Sequence, residues 1–149
     1  MTEFTDLLAA LAGHDEARAE DAARRLAGHG ESILPALESL LASPEPDERW
    51  WAVRTLAAMP APRTDWLRLA LGDESSDVRA AAALALVAHP VEAAGPELVQ
   101  ALQDEDSIVA VLAVQALVAI GAAAVPLERI EDYIAAAAAD DPLVPDLAR

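Results

Sequence analysis

The three histidines of this chain are the first residues to consider for catalysis or metal binding. His29 and His89 each lie at the end of a predicted helix, and His14 lies in a predicted turn. A polar cap accounts for the first two, because the last backbone carbonyls of a helix lack intrahelical partners. No HExxH motif, Ser-His-Asp arrangement or glycine-rich phosphate loop accompanies them. The sequence therefore predicts no enzyme, no catalytic residue and no metal site.

The acidic segment that begins at Asp104 has some of the oxygen ligands of a calcium loop. The run DEDS supplies carboxylates and a hydroxyl in succession. An EF-hand loop also needs a glycine at its sixth position and a glutamate at its twelfth, where this chain has Val109 and Gln115. The chain has no cysteine, which excludes a disulfide, a thiolate nucleophile and a cysteine-based metal site. We expect no cofactor.

The charge balance limits the class of partner. The chain has 26 acidic and 10 basic residues, for a net charge of −16, and every basic residue is arginine. The absence of lysine excludes a lysine nucleophile or Schiff base. Nucleic acid and anionic membrane surfaces would be repelled by this charge, so neither is an expected partner. A basic protein or peptide is favoured, although solubility alone explains the charge equally well.

The sequence predicts neither a targeting signal nor a membrane span. Its first residues, MTEFTDLLAALAGHDE, are acidic and lack the basic region of a signal peptide. No apolar run reaches the roughly 18 residues of a transmembrane helix. We therefore expect a cytoplasmic protein.

Leucine recurs about every 30 residues in three series, and this is the dominant pattern of the chain. The series are Leu7, Leu37, Leu67 and Leu98; Leu11, Leu41, Leu71 and Leu102; and Leu26, Leu56, Leu86 and Leu117. Such a period is typical of stacked supersecondary units, none of which can bury its apolar face alone. The chain is 54% hydrophobic but only 3% aromatic, so alanine and leucine must provide the packing, as in closely spaced helices.

Each unit is predicted to be two antiparallel helices joined by a short acidic turn. The first helix carries leucines one turn apart, as in Leu37 and Leu41, which places both on one face. The second helix carries small residues followed by the shared leucine, which permits close helix contacts. Ser43, Asp73 and Asp104 occupy one position of the turn and are expected to cap the second helix or its neighbour.

The predicted organisation is a single domain of four repeats and a capping helix. The repeats span about 3–30, 31–61, 62–91 and 92–122, followed by a capping helix at about 125–139 and a tail at 140–149. Helices are predicted at roughly 4–12, 15–28, 33–42, 47–59, 64–71, 76–88, 96–103, 107–120 and 126–139. The predicted fold class is all-α, a right-handed α-solenoid of helical hairpins, and we expect a monomer.

The repeats resemble HEAT repeats, specifically the short HEAT-like type named after phycobilisome (PBS) lyases. That pattern runs from a leucine through an acidic turn to Val-Arg, then Ala-Ala and Ala-Leu at helical spacing. The third repeat matches it best, through Asp73, Val78, Arg79, Ala82, Ala83, Ala85 and Leu86. The second repeat keeps Arg49 but has Glu48 for the valine, and the fourth has Ala110 for the arginine. In the family the turn aspartate and helix arginine tie adjacent repeats together, which implies that role for Asp73 and Arg79.

The outward residues of the second helices form the first candidate binding surface. With the small residues and leucines turned inward, a helical wheel predicts a strip along what would be the concave side of the array. This strip, called the second-helix face below, comprises Arg24, Trp50, Arg54, Leu84, Val87, Val111, Gln115 and Val118. It becomes apolar toward the fourth repeat, and contiguous exposed apolar surface is typical of contact sites. The alternative is that Trp50 and Trp51 pack over neighbouring helices, or that the tail covers Val111 and Val118.

The acidic turns form the second candidate surface, called the acidic ridge below. Its predicted members are Glu45, Asp47, Glu48, Asp73, Glu74, Asp77, Asp104, Glu105 and Asp106. A ridge of this kind can steer a basic partner toward the protein, or it can serve solubility alone.

The predicted function is a non-enzymatic scaffold or adaptor that binds a protein or peptide segment on the second-helix face. The resemblance to phycobilisome lyases implies an alternative, a bilin-lyase-like subunit that binds a tetrapyrrole or its carrier protein. A further alternative is a relative of the HEAT-like DNA-repair glycosylases, which need a basic concave face with aromatic residues. Trp50, Arg54 and Arg24 match that requirement weakly, and the net charge of −16 argues against it.

Overall fold

A computed structural model of the chain describes residues 2–121 together with residue 135. Within this part it contains eight α-helices and no strand. The helices are α1 (Thr2–Leu11), α2 (Glu16–Ala27), α3 (Leu34–Leu41), α4 (Pro46–Ala58), α5 (Thr64–Ala70), α6 (Ser76–Ala88), α7 (Gly95–Ala101) and α8 (Ser107–Ile120). The eight helices predicted for this region are confirmed, with boundaries within about two residues. The predicted capping helix and tail lie outside the described residues.

The sequence prediction missed two short 3₁₀ turns. They cover Gly30–Ile33, before α3, and Glu92–Ala94, before α7. Both precede a first helix that starts with proline near its N-terminus, Pro35 in α3 and Pro96 in α7. Because a proline has no N–H to donate, the chain can enter the helix through a tighter turn without losing a hydrogen bond.

Two of the second helices begin at an aspartate N-cap. The Asp15 side chain accepts a hydrogen bond from the Arg18 N–H and so caps α2, and the Asp106 side chain caps α8 through the Ile108 N–H. The last described helix ends at Gly121, whose φ of 85° lies in the left-handed region that favours glycine.

The helices form four antiparallel pairs with a continuous core between them. Each first helix packs on the second helix that follows it, and consecutive second helices α2, α4, α6 and α8 also pack directly on one another. The third leucine series lies in this core, since Leu26, Leu56 and Leu86 are fully buried. Ala52 and Ala82 are also fully buried, and such small side chains let the helices approach closely. The chain is therefore an α-solenoid, as predicted.

The two layers of the solenoid differ in how closely their helices approach. Consecutive second helices share many contacts, whereas consecutive first helices make at most marginal ones within the described residues. The outward side of α2, α4, α6 and α8 is the side on which the second-helix face was predicted.

Candidate functional site

Arginines of the second helices connect successive repeats. Arg49 in α4 donates hydrogen bonds of 2.9 and 3.0 Å to the two carboxylate oxygens of Asp73, in the turn before α6. Arg79 in α6 bonds both oxygens of Asp104, before α8, at 2.8 and 3.1 Å. All four side chains are at most 14% exposed. The resemblance implied that Arg79 and Asp73 tie adjacent repeats together, and this is confirmed. Each arginine–aspartate pair is called a clamp below, because it joins a second helix to the turn that precedes the next second helix.

The same aspartates also shape their own turns. An Asp73 oxygen accepts a hydrogen bond from the Ser75 N–H, and an Asp104 oxygen accepts one from the Asp106 N–H, both at 2.9 Å. Ser43 accepts one from the Glu45 N–H in the same way. These contacts reach two residues ahead, as in Asx turns, and end just before the helix. Ser43, Asp73 and Asp104 therefore hold the turns and do not cap the helices as expected. Of the three helices that follow, α8 has a side-chain N-cap, Asp106, whereas α4 and α6 have none.

Hydrogen bonds and burial together set the acidity of Asp104. Burial alone would raise its pKa, but hydrogen bonds from Arg79 and from the Asp106 N–H outweigh burial and hold the pKa below the ordinary 3.8. The pKa of Arg79 is raised, chiefly by the hydrogen bond to Asp104. The pair is therefore fully ionised at neutral pH.

The acidic ridge differs from its prediction at two of its members. Asp73 and Asp104 point into the clamps and are 14% and 10% exposed, so they do not present free charge to solvent. Asp106 is half-buried and caps α8. Glu48 is also half-buried. The remaining members of the ridge face solvent; they are Glu45, Asp47, Glu74, Asp77 and Glu105.

The centre of the second-helix face is an aromatic and charged group. Trp50 is half-buried and meets Trp51 edge to face, with ring centroids 4.7 Å apart. The Arg54 guanidinium lies 5.5 Å from the centre of the Trp50 ring, within cation–π distance. Arg54 also donates to Glu20 of α2 at 3.0 Å. Trp51 is buried in the core at 8% exposure, as expected for a residue on the flank of the helix.

The apolar residues predicted for this face are largely open to solvent. Leu84 is 44% exposed, Val111 55% and Val118 75%. Val87 is half-buried and packs against the core. Among the polar members Gln115 is exposed, and Arg24 is 68% exposed with only a 3.8 Å contact to Asp21.

A groove opens beside Trp50 at the N-terminal end of this face. It encloses about 730 Å³ between the turn after α1 and the starts of α4 and α6. Trp50 and Trp51 line it together with five acidic residues, Glu16, Glu45, Asp47, Glu48 and Asp77. The groove therefore joins part of the acidic ridge to the aromatic centre of the second-helix face.

Two ion pairs of this region were not predicted from the sequence. One joins Arg54 and Glu20, 34 residues apart, and pairs one of the two arginines expected on the second-helix face. The other joins Arg68 of α5 and Glu97 of α7, with a closest contact of 2.6 Å across 29 residues. The signal that could have found both is opposite charge at a separation near one repeat, the same rule that the clamps obey.

Neither metal-binding nor membrane-spanning features are present in the described part. No three His, Asp or Glu side chains among residues 2–121 converge as ligands for a metal ion. In the same stretch every helix is too short or too polar to cross a bilayer.

Comparison with known proteins agrees with this geometry. A family model described as HEAT repeats matches residues 4–86 and 64–143. A comparison with curated proteins gave no match. The two matched stretches together cover most of the chain, and they contain both arginine–aspartate clamps and the second-helix face. On this match, and with four stacked helical hairpins, the chain belongs to the HEAT-repeat family.

Proposed function

We propose that this chain is a non-enzymatic interaction module, monomeric and cytoplasmic, that binds an extended segment of a partner protein along the second-helix face. HEAT repeats are typical of protein-interaction scaffolds, because stacking builds a long surface from residues that no single repeat contains. The observation that carries the proposal is the exposure of Leu84. It belongs to α6, which is flanked by α4 and α8, and is still 44% exposed.

Position in the stack does not account for this exposure. Val114 of α8 is 49% exposed, but the equivalent Val53 and Ala83 are fully buried. Val114 lies on α8, the last helix of the described residues. Leu84 lies on α6, which has a second helix on each side, and is exposed nonetheless. A large apolar side chain that is exposed on a helix flanked on both sides is a usual mark of a contact surface.

Trp50 and Arg54 give this surface a rigid centre. Trp51 holds the edge of the Trp50 ring, and the Arg54 guanidinium lies 5.5 Å from its centre while paired with Glu20. A pre-positioned side chain loses little conformational entropy on binding. Tryptophan and arginine are also the residue types most enriched at binding hot spots.

The finer family type is part of the proposal. The arginine–aspartate clamps support short HEAT-like repeats of the phycobilisome-lyase type, because both link a second helix to the next turn. No feature of the described residues favours a bilin site over a peptide site. The pairing of Arg54 with Glu20 also leaves Arg24 as the one predicted arginine of this face that is largely exposed, which is little positive charge for contact with a phosphate backbone.

Partner capture followed by surface variants tests the function. The protein is used to isolate partners, and each partner is then purified and titrated against the wild type and Leu84→Ser. Gln100→Ser provides a matched control, since Gln100 is exposed on α7, in the other layer. We expect Leu84→Ser to weaken binding about fivefold to tenfold and the control to have no effect. Equal affinity for both variants would exclude the second-helix face as the binding surface.

A further inference from the structure

The groove beside Trp50 has an unusual combination of walls. Indole rings of Trp50 and Trp51 and the side chains of Leu11, Ala12 and Pro46 form its apolar part. Five acidic residues line it as well, together with Gly13, His14 and Ser75. It will be called the tryptophan–carboxylate groove. It lies one helical turn before the second-helix face, because Asp47 precedes Trp50 by one turn of α4.

The carboxylates of this groove are not neutralised within the described part of the chain. Arg49 and Arg79 pair with Asp73 and Asp104 outside it, and no ion pair involves any of the five groove residues. Glu48 accepts a hydrogen bond from the Ser43 hydroxyl, which leaves its charge in place. The N-termini of α4 and α6 each contribute about half a positive charge. The five carboxylates outweigh that contribution, so the groove is strongly negative.

Two arginines of this protein already contact an indole ring and a carboxylate at the same time. Arg54 lies 5.5 Å from the centre of the Trp50 ring and pairs with Glu20 at 3.0 Å. Arg63 lies 4.7 Å from the centre of the Trp66 ring and bonds Asp65 at 2.7 Å. In each case a guanidinium contacts an indole and a carboxylate together. The groove supplies five carboxylates that pair with no arginine of the described residues, beside an indole, that of Trp50, which already contacts Arg54.

We propose that the tryptophan–carboxylate groove binds an arginine side chain of the partner segment. The inference rests on the proposed function and gives the chemistry of its partner. Trp50 offers the arginine an indole surface, and Asp47 and Asp77 are exposed carboxylates beside it. Arginine fits better than lysine, because its planar guanidinium stacks on an aromatic ring and bonds a carboxylate through two N–H groups at once.

This assignment also orients the partner. The groove lies at the start of α4, and the exposed Leu84 and Val111 lie on the next two second helices, Leu84 farther along α6 and Val111 at the same level of α8 as Trp50 of α4. A bound segment therefore places its arginine in the groove and its apolar residues toward α6 and α8. Arginine supplies specificity at one end, and apolar burial supplies contact area at the other.

Titration with labelled peptides tests the proposal. The probes are a fluorescein-labelled peptide of alternating arginine and serine, the same peptide with lysine, and the same peptide with glutamate. Binding is followed by fluorescence polarisation at physiological ionic strength. We expect the arginine peptide to bind several-fold more tightly than the lysine peptide, and the glutamate peptide not to bind. Equal affinities for arginine and lysine would overturn the proposed recognition.

Two charge variants distinguish the contribution of the groove carboxylates to affinity from the contribution of the net charge of the protein. The groove variant is Glu16→Gln, Asp47→Asn and Asp77→Asn; the control is Glu31→Gln, Glu38→Gln and Glu92→Gln, all exposed positions outside the groove. Both remove the same number of charges. We expect the groove variant to lose at least about tenfold in affinity for the arginine peptide and the control to lose little. Equal losses would reduce the effect to net charge and overturn the proposal.

The aromatic wall of the groove and the proposed function are each tested with separate variants. Trp50→Phe keeps a ring of smaller surface and Trp50→Ala removes it, so affinity for the arginine peptide should fall in that order; circular dichroism and thermal melts verify folding. If a folded Trp50→Ala variant binds the arginine peptide as tightly as the wild type does, the proposed binding in the groove is overturned. Leu84→Ser reports on the proposed function separately. It should weaken a captured partner without affecting the arginine peptide.

Discussion

Arg79 bonds two successive turns of the solenoid with one side chain. Its guanidinium donates to both oxygens of Asp104, at 2.8 and 3.1 Å, although 25 residues separate the two in the sequence. Its remaining nitrogen donates to the backbone carbonyls of Asp73 and Glu74 at 2.9 and 3.2 Å. The side chain thus fixes the turn before its own helix and the turn before the next one.

Removing this side chain should destabilise the interface between the third and fourth repeats. We expect Arg79→Ala to lower the free energy of unfolding by about 1–2 kcal/mol, since the lost contacts are charged hydrogen bonds at low exposure. Urea denaturation measures the change. Arg24→Ala is the control, because Arg24 is 68% exposed and its carboxylate contact is long; it should leave stability nearly unchanged.

A double-mutant cycle shows how much of the loss belongs to the pair. Asp104→Ala alone should cost a similar amount, and the two substitutions together should cost less than their sum. Additive losses would mean that Arg79 acts through the carbonyls of Asp73 and Glu74, without energetic help from Asp104.

Acid should weaken the same clamp. The folded pKa of Asp104 is held below 3.8, so the unfolded chain takes up this proton before the folded one. The stabilisation is complete above the unfolded pKa of about 3.8 and is lost as pH falls through the lower folded pKa. Denaturation of the wild type and Asp104→Asn at about pH 6 and about pH 3 should show a stability difference that shrinks in acid. A difference independent of pH would contradict the linkage.

Leucine truncations test whether the solenoid is stabilised repeat by repeat. Leu86 and Leu26 are both fully buried, but α6 has a second helix on each side and α2 has one. We expect Leu86→Ala to cost about 2–5 kcal/mol and Leu26→Ala to cost less, because more of the neighbouring core depends on Leu86. Equal or reversed costs in urea denaturation would contradict nearest-neighbour stacking.

The fold could be predicted because the residues that repeat in the sequence are those that face the core. Leucines and alanines at a fixed period are best buried when the helical units stack on one another. The helix boundaries could therefore be predicted to within about two residues. The turns were predicted less well. Asp73 and Asp104 were also assigned to the acidic ridge, although the family resemblance implied an arginine contact for Asp73. The structure shows that arginines cover both and that the partner of Asp73 is Arg49.

The candidate site was harder to predict than the fold. A helical wheel identified Trp50 and Leu84 as outward, since orientation depends on local geometry alone. The wheel could not show that Glu20 neutralises Arg54, because the two lie on different helices. Nor could it show the tryptophan–carboxylate groove, which needs the turn after α1 to lie beside the starts of α4 and α6. Features within one helix were accessible, and features between helices were not.

Trp50 should carry a large share of the binding energy for a captured partner. We expect Trp50→Ala to weaken binding by about 2 kcal/mol or more, because tryptophans at the centre of an interface are frequent hot spots. Calorimetric titration measures the change, and a melting curve verifies that the variant is folded. Trp66→Ala is the matched control, since Trp66 is half-buried on α5 in the other layer and should leave affinity unchanged.

The part of the acidic ridge outside the tryptophan–carboxylate groove should control the rate of association more than the final affinity. Glu74 and Glu105 are its exposed members there; reversing both charges weakens the attractive field for a basic partner, and long-range attraction acts before contact. We expect the association rate to fall about tenfold at low salt, with a smaller change in the dissociation rate. Stopped-flow mixing at increasing salt measures both rates, and the difference from the wild type should vanish as screening increases. A change confined to the dissociation rate would instead mean that these carboxylates contact the partner directly and that the ridge does not steer it.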